Sequence, residues 1–203
     1  GNVRDEWALS WADISTGAFH VMPLGQARIG AELARLAPSE VLVSDKIDEL
    51  LRDVLADLGI ETTVLGAASF DSGAAETRLC GVFGVKTLAG YGAFARAELS
   101  AMGALVDYLD ITQKGRLPLL QPPKQEAGAR LMQIDAATRR NLELTSAMSG
   151  GRAGSLLATI DRTVTSGGGR LLERRVSSPS QDLATIHERL DSVRWGVEGS
   201  WSD

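Results

Sequence analysis

The sequence predicts an α/β domain with a mixed sheet and a hairpin at its start, followed by an incomplete all-α segment. Three observations carry this. Apolar residues alternate at every second position near the start, then recur at helical spacing. Short apolar runs separate the helices of the first half, as strands buried in a sheet do. Beyond Pro118 the strand patterns stop and only helical spacing remains.

The elements follow in order. Trp7, Leu9 and Trp11 alternate with polar or small residues and predict a half-buried strand. Ile14-Ser15-Thr16-Gly17 predicts a tight turn into a second strand, Ala18 to Met22, ended by Pro23 and Gly25. Ile29, Leu33 and Leu36 predict a helix that Pro38 stops. Val41-Leu42-Val43 is a buried strand; Asp45 caps a helix carrying Ile47, Leu50, Leu51, Val54 and Leu58, closed by Gly59. Glu61 to Leu65 is a further strand. The glycine-rich stretch Gly66 to Gly92 reads as loose, and a long helix runs from about Ala93 to Ile111. The order β-β-α-β-α-β-α describes a mixed sheet. The character changes at Gly115-Arg116-Leu117-Pro118, and Pro118, Pro122 and Pro123 mark an extended linker to Gly128. Four helices follow, Asp135–Thr145, Ser155–Arg162, Gly169–Val176 and Asp182 to about Val197, with Ser155 and Asp182 as N-caps. The expected division is residues 1–118 and 119–203.

Composition narrows the function. With 44% hydrophobic and 23% charged residues the chain is ordinary for a globular protein, and no apolar run approaches a membrane span. The net charge of −5 is uneven: residues 1–118 hold 10 basic and 16 acidic residues, residues 119–203 hold 11 and 10. An acidic first half is a poor phosphate-binding surface. No signal-peptide stretch is evident, and the single cysteine, Cys80, reads as a buried structural thiol in a reducing, cytoplasmic setting. The missing initial Met and the end at Trp201-Ser202-Asp203 are expected of an excised piece.

No motif supplies an active site. Asp13 ends the first strand, where an RNase H-type nuclease keeps a metal-binding aspartate, but two-metal hydrolysis needs several clustered carboxylates. Glu40, Asp45, Asp48 and Asp71 are the candidates, and none lies in a partner motif. The favoured reading makes Asp13 the acceptor that caps the hairpin turn. Ser149-Gly150-Gly151-Arg152-Ala153-Gly154-Ser155 lacks the lysine and spacing of a phosphate loop and reads as a turn between helices; Gly167-Gly168-Gly169 reads as a flexible turn. There is no CxxC pair, HExxH or Ser-His-Asp grouping.

A family resemblance goes further. Met132-Gln133-Ile134-Asp135-Ala136-Ala137-Thr138-Arg139-Arg140-Asn141-Leu142-Glu143-Leu144-Thr145 resembles the segment that opens the core (lever) domain of MutS proteins, the DNA mismatch-recognition ATPases. Gly150-Gly151, Ser155-Leu156-Leu157, Ile160-Asp161-Arg162-Thr163, Gly169-Arg170-Leu171-Leu172, Pro179 and Ile186 to Val193 follow in the family's order. Upstream, Asp13 to Gly17, Leu36 to Leu42 and Tyr108 to Gln113 look like the MutS connector domain. Asp135, Arg139, Arg140, Asn141, Asp161, Arg170 and Asp191 are carried over as structural motif positions.

The resemblance implies an inactive RNase H-like connector joined to the start of the helical core. Such a piece is expected to be non-catalytic, monomeric and free of membrane contact, to relay signals between the DNA-binding and ATPase parts, and to dock MutL, placed here around Thr77, Arg78 and Leu79. No cofactor is expected in it; ATP and Mg belong to a domain of the parent, and mismatched DNA binds only the full-length protein. No Phe-x-Glu wedge and no Walker A loop is present. Arg175-Val176, Ser180 and Gly167-Gly168 depart from the family pattern. The alternatives are a metal-dependent nuclease centred on Asp13 and a DNA-backbone binder using Arg139, Arg140, Arg174 and Arg175.

Overall fold

Strands and helices alternate up to residue 112; beyond it, among the described residues, the two-residue strand Lys124–Gln125 precedes four helices. The computed structural model describes residues 1–114, 118–126 and 131–199. The expected change at Gly115-Arg116-Leu117, the linker end at Gly128 and the chain end at Trp201-Ser202-Asp203 lie outside them. Two compact units emerge, Gly1–Gly128 and Ala129–Asp203.

The first unit is built on a hairpin. β2 (Glu6–Asp13) pairs antiparallel with β3 (Ala18–Leu24), from Trp7 opposite Leu24 to Asp13 opposite Ala18. β1 (Asn2–Val3) adds a short antiparallel partner at the start of β2. α1 (Ile29–Leu36) follows, ended by Ala37 in left-handed conformation just before Pro38. β4 (Glu40–Ser44) and β5 (Glu61–Leu65) form a separate parallel pair, joined by α2 (Asp45–Leu58), which Gly59 closes at φ +62.

The sequence misses one helix of this unit. α3 (Ser72–Phe83) lies inside the stretch that reads as loose. Its signals are present but weak. Asp71 accepts the Ala74 N–H at 2.7 Å as an N-cap, Leu79 is buried, and Gly84 ends the helix at φ +64. Gly73 and Gly81 lower the helical preference of the stretch and hide the spacing.

α4 (Arg96–Thr112) packs against α3 and the hairpin. Ala97 and Ala101 meet Ala8 of β2, and small side chains let helix and strand approach closely. Phe19, Val21, Leu79, Met102 and Val106 form one core; Leu24, Ile29, Leu33, Val43 and Leu55 form a second with Trp7 and Leu9 beside it. β2 is therefore covered on both faces, not only on the Trp7-Leu9-Trp11 face. Each fully buried aliphatic or aromatic side chain adds roughly 1.5–3 kcal/mol.

The proline-rich segment is no free linker. Gln121 donates its N–H to Gly17 O at 2.7 Å, and β6 (Lys124–Gln125) pairs parallel with His20–Val21 of β3. Only glycine fits at position 17: φ is +73 and a Cβ would lie 2.2 Å from Leu119 O.

The second unit is helical. α5 (Ala136–Asn141), α6 (Leu156–Ile160), α7 (Ser166–Ser177) and α8 (Leu183–Glu198) begin at Asp135, Ser155, Thr165 and Asp182, each of which caps its helix through a side-chain oxygen. α5 and α6 are shorter than expected, and the chain between them turns at Gly150, Gly151 and Gly154, all at positive φ. α7 starts earlier: Gly167, Gly168 and Gly169 lie within its first turns, held by the Thr165 cap, rather than in a turn before it. Leu144, Leu157, Ser155, Ser177 and Arg139 are buried, whereas α8 buries none of its residues.

Candidate functional site

Asp13 occupies the last position of β2, and its carboxylate folds back over the hairpin turn. Oδ1 accepts the Ser15 N–H at 2.8 Å and the Ser15 hydroxyl at 2.6 Å. The hydroxyl bond, then the N–H bond, hold its pKa below the usual carboxylate range. These partners are turn atoms. Glu40 instead takes the Tyr108 hydroxyl at 2.9 Å and the Thr63 hydroxyl, and the Glu40 bond raises the Tyr108 pKa. Asp45 lies in the first turn of α2, Asp48 faces Arg52 at 3.7 Å, and Asp71 caps α3. No group of three or more His, Cys, Asp or Glu able to hold a metal occurs among the described residues.

The α3 positions Thr77, Arg78 and Leu79 separate by exposure. Thr77 is exposed. Arg78 is half-buried, paired with Asp107 at 3.2 Å and donating to Gly103 O at 3.1 Å. Leu79 is wholly buried in the core, so it offers no surface to a partner; a leucine four residues after Ala75 faces inward because α3 packs on α4 through that stripe. Cys80 is half-buried against the same core.

In the helical unit the motif positions have local duties. Asp135 accepts the N–H and hydroxyl of Thr138 at 2.9 and 2.6 Å, which lowers its pKa, the hydroxyl contributing most. Arg139 is buried; Arg140 and Asn141 are exposed. Asp161 accepts the hydroxyl and N–H of Thr163 and pairs with Arg152, and the Thr163 hydroxyl leads in lowering its pKa. Arg170 is exposed, as is Asp191, which lies 3.5 Å from Arg194. Met132 N–H bonds to Pro179 O, and Leu131 bridges to Ser180, the departing position. Arg174, Arg175 and Val176 lie in the last turns of α7.

Two polar clusters escape the sequence reading. Glu98, buried on α4, accepts the Ala95 N–H at 2.8 Å and the Gln125 amide at 2.6 Å, tying β6 to the helix start. Glu32, buried on α1, accepts from Arg28 at 3.1 Å and Arg35 at 2.5 Å, while Arg35 stacks over Trp11 and Trp11 over His20. The spacing of Arg28, Glu32 and Arg35 is the one legible signal for the second cluster. Glu126, the residue after β6, reaches it, 3.3 Å from His20 Nδ1 and 3.6 Å from Arg35.

A cavity of about 670 Å³ lies between β2 and β4, with Tyr108 and Leu105 of α4 lining it. No described helix is long and apolar enough to cross a membrane.

Comparison with known proteins gives the arrangement its relatives. A family model described as MutS domain II matches residues 3–121, and one described as MutS domain III matches residues 137–200. The DNA mismatch repair protein MutS of Roseobacter denitrificans is 63% identical over 97% of this chain and 22% of its own length. That of Ruegeria pomeroyi is 63% identical over 98% and 23%, and that of Paracoccus denitrificans 60% over 95% and 22%. The chain thus spans about a fifth of the length of the curated relatives it matches. With domain II covering more than half of its residues and domain III following in order, the chain belongs to the MutS family.

Proposed function

We propose that this segment serves DNA mismatch repair as a non-catalytic module, the connector and first part of the helical core of a mismatch-recognition ATPase. The consecutive match to domains II and III carries the reading. The connector takes an RNase H-like fold, supported by the hairpin-first mixed α/β order. ATP and Mg act in another part of the longer protein, and mismatched DNA is gripped by the whole. The helical core follows the first compact unit, Gly1–Gly128. An apolar stripe on α8, Leu183, Leu190, Val193 and Val197, is 55–79% exposed and fits a helical domain that the rest of the protein completes.

The partner is MutL, docking on the exposed side of α3 around Thr77, with Arg78 held in place by Asp107. The test is a titration of the chain with the N-terminal ATPase region of the cognate MutL at moderate salt. Saturable binding lost in Thr77→Arg supports docking; no binding by a folded chain overturns it. No support exists for a nuclease, since Asp13 is engaged by its own turn.

A further inference from the structure

The segment from Leu120 to Glu126 is a strap fastened along β3. Leu120 is buried in the core with Phe19 and Val21, the Gln121 N–H donates to Gly17 O at 2.7 Å, and the Glu126 N–H donates to Val21 O at 2.8 Å. Two carboxylates add side-chain fastenings. The Gln125 amide donates to Glu98 of α4 at 2.6 Å. At the end of the strap the Glu126 carboxylate meets His20 Nδ1 of β3 at 3.3 Å and Arg35 of α1 at 3.6 Å. One residue is thereby tied to two elements far from it in sequence.

Of these three side chains only His20 changes charge near neutral pH. A neutral imidazole turns toward the carboxylate either an N–H or a bare lone pair; a protonated one always offers a proton, together with a charge. A charge-assisted bond of that kind is roughly twice as strong as a neutral one. The groups around His20 accept the added charge. From α1 come Arg28, Glu32 and Arg35, with Glu32 pairing both arginines at 3.1 and 2.5 Å. Glu32 and Glu126 thus balance Arg28 and Arg35 while His20 is neutral. From β6 comes Lys124, opposite His20 in the register and exposed. From β2 comes Trp11, whose ring stacks on His20 at 5.3 Å between centroids and favours a cation over its face. Arg35 lies over the same indole at 5.5 Å, and its repulsion keeps the gain modest.

We propose that His20, Arg35 and Glu126 form a proton-operated latch on the strap. With His20 protonated, below about pH 6, both cations hold Glu126. Above about pH 7.5 Arg35 holds the carboxylate without a second charge, and the last rung of the strap loosens. The sign follows from the charges: the fastening is present while His20 is charged and is lost as pH rises. The strap ends just before Gly128, the last residue of the first unit, so the latch sets how firmly the chain is fastened where it leaves that unit. It concerns the first unit alone and does not depend on MutL docking. The side chains of His20 and Glu126 are 18% and 29% exposed, so water screens the pair and the effect is about two- to fivefold.

The test is residue-resolved amide exchange of the chain at low and high pH, expressed as protection relative to the intrinsic rate at each pH. Protection of the Glu126 amide is expected to fall about two- to fivefold from about pH 5.5 to about pH 8, with the Gln121 amide at the other end of the strap unchanged. Glu126→Gln removes the carboxylate charge, and His20→Phe keeps an aromatic ring against Trp11; each is expected to abolish the difference. Proton resonances of the imidazole give a second readout. His20 is expected to titrate at lower pH in Glu126→Gln, while His187, exposed and the only other histidine, stays where it was. Equal protection of the Glu126 amide at both pH values in the unaltered chain overturns the proposal, whether or not the variants fold. A loss shared equally by Gln121, or a pH dependence that survives Glu126→Gln, overturns it too.

Discussion

At the scale of single residues, Asp13 acts on its own turn. Asp13→Ala removes two turn hydrogen bonds and is expected to cost about 1 kcal/mol, whereas Asp13→Asn, which can still cap the turn, costs less. Paired denaturation curves decide this, and equal losses would show that charge rather than acceptor geometry matters.

At the scale of elements, the contact between α3 and α4 is set by small residues. A Cβ on Gly103 would lie 2.3 Å from Ala75 Cβ and 2.9 Å from Ala75 Cα. Gly103→Val is expected to destabilise by about 1–3 kcal/mol through overpacking. Gly81 sits on α3 with open space around it. There Gly81→Ala should stabilise by about 0.5–1 kcal/mol through helix preference alone. Opposite signs for these two glycines in one denaturation series support the packing; the same sign refutes it. Neither difference is visible in the sequence, where both read as helix-weakening glycines. α3 itself escaped detection for that reason, although its Asp71 cap and closing Gly84 were legible. The hairpin and α2, by contrast, announced themselves through strict alternation and through an apolar stripe ending in Gly59, although Asp45 opens α2 as its first residue rather than capping it.

At the scale of the whole molecule, the two units differ in how much they bury. The first unit holds nearly all the buried apolar side chains, and the second buries Leu144 and Leu157 with α8 left uncovered. Amides of α7 and α8 are therefore expected to exchange faster than those of β3 and α4, and the helical unit to unfold at lower denaturant. A single coincident transition by far-ultraviolet signal and by hydrogen exchange would contradict this. By itself the sequence determined the α/β-then-helical order, the hairpin with its Asp13 turn, the caps at Ser155 and Asp182, and the family, since these rest on local spacing and ordered motifs. Only the tertiary structure decided that α3 is a helix and that Leu79 is buried. It also showed that Gln121 to Glu126 lie along β3, and that a cavity lies between β2 and β4. Each of those depends on which distant residues meet, Leu119 at Gly17 or Ala75 at Gly103, and such contacts leave no periodic trace in the chain.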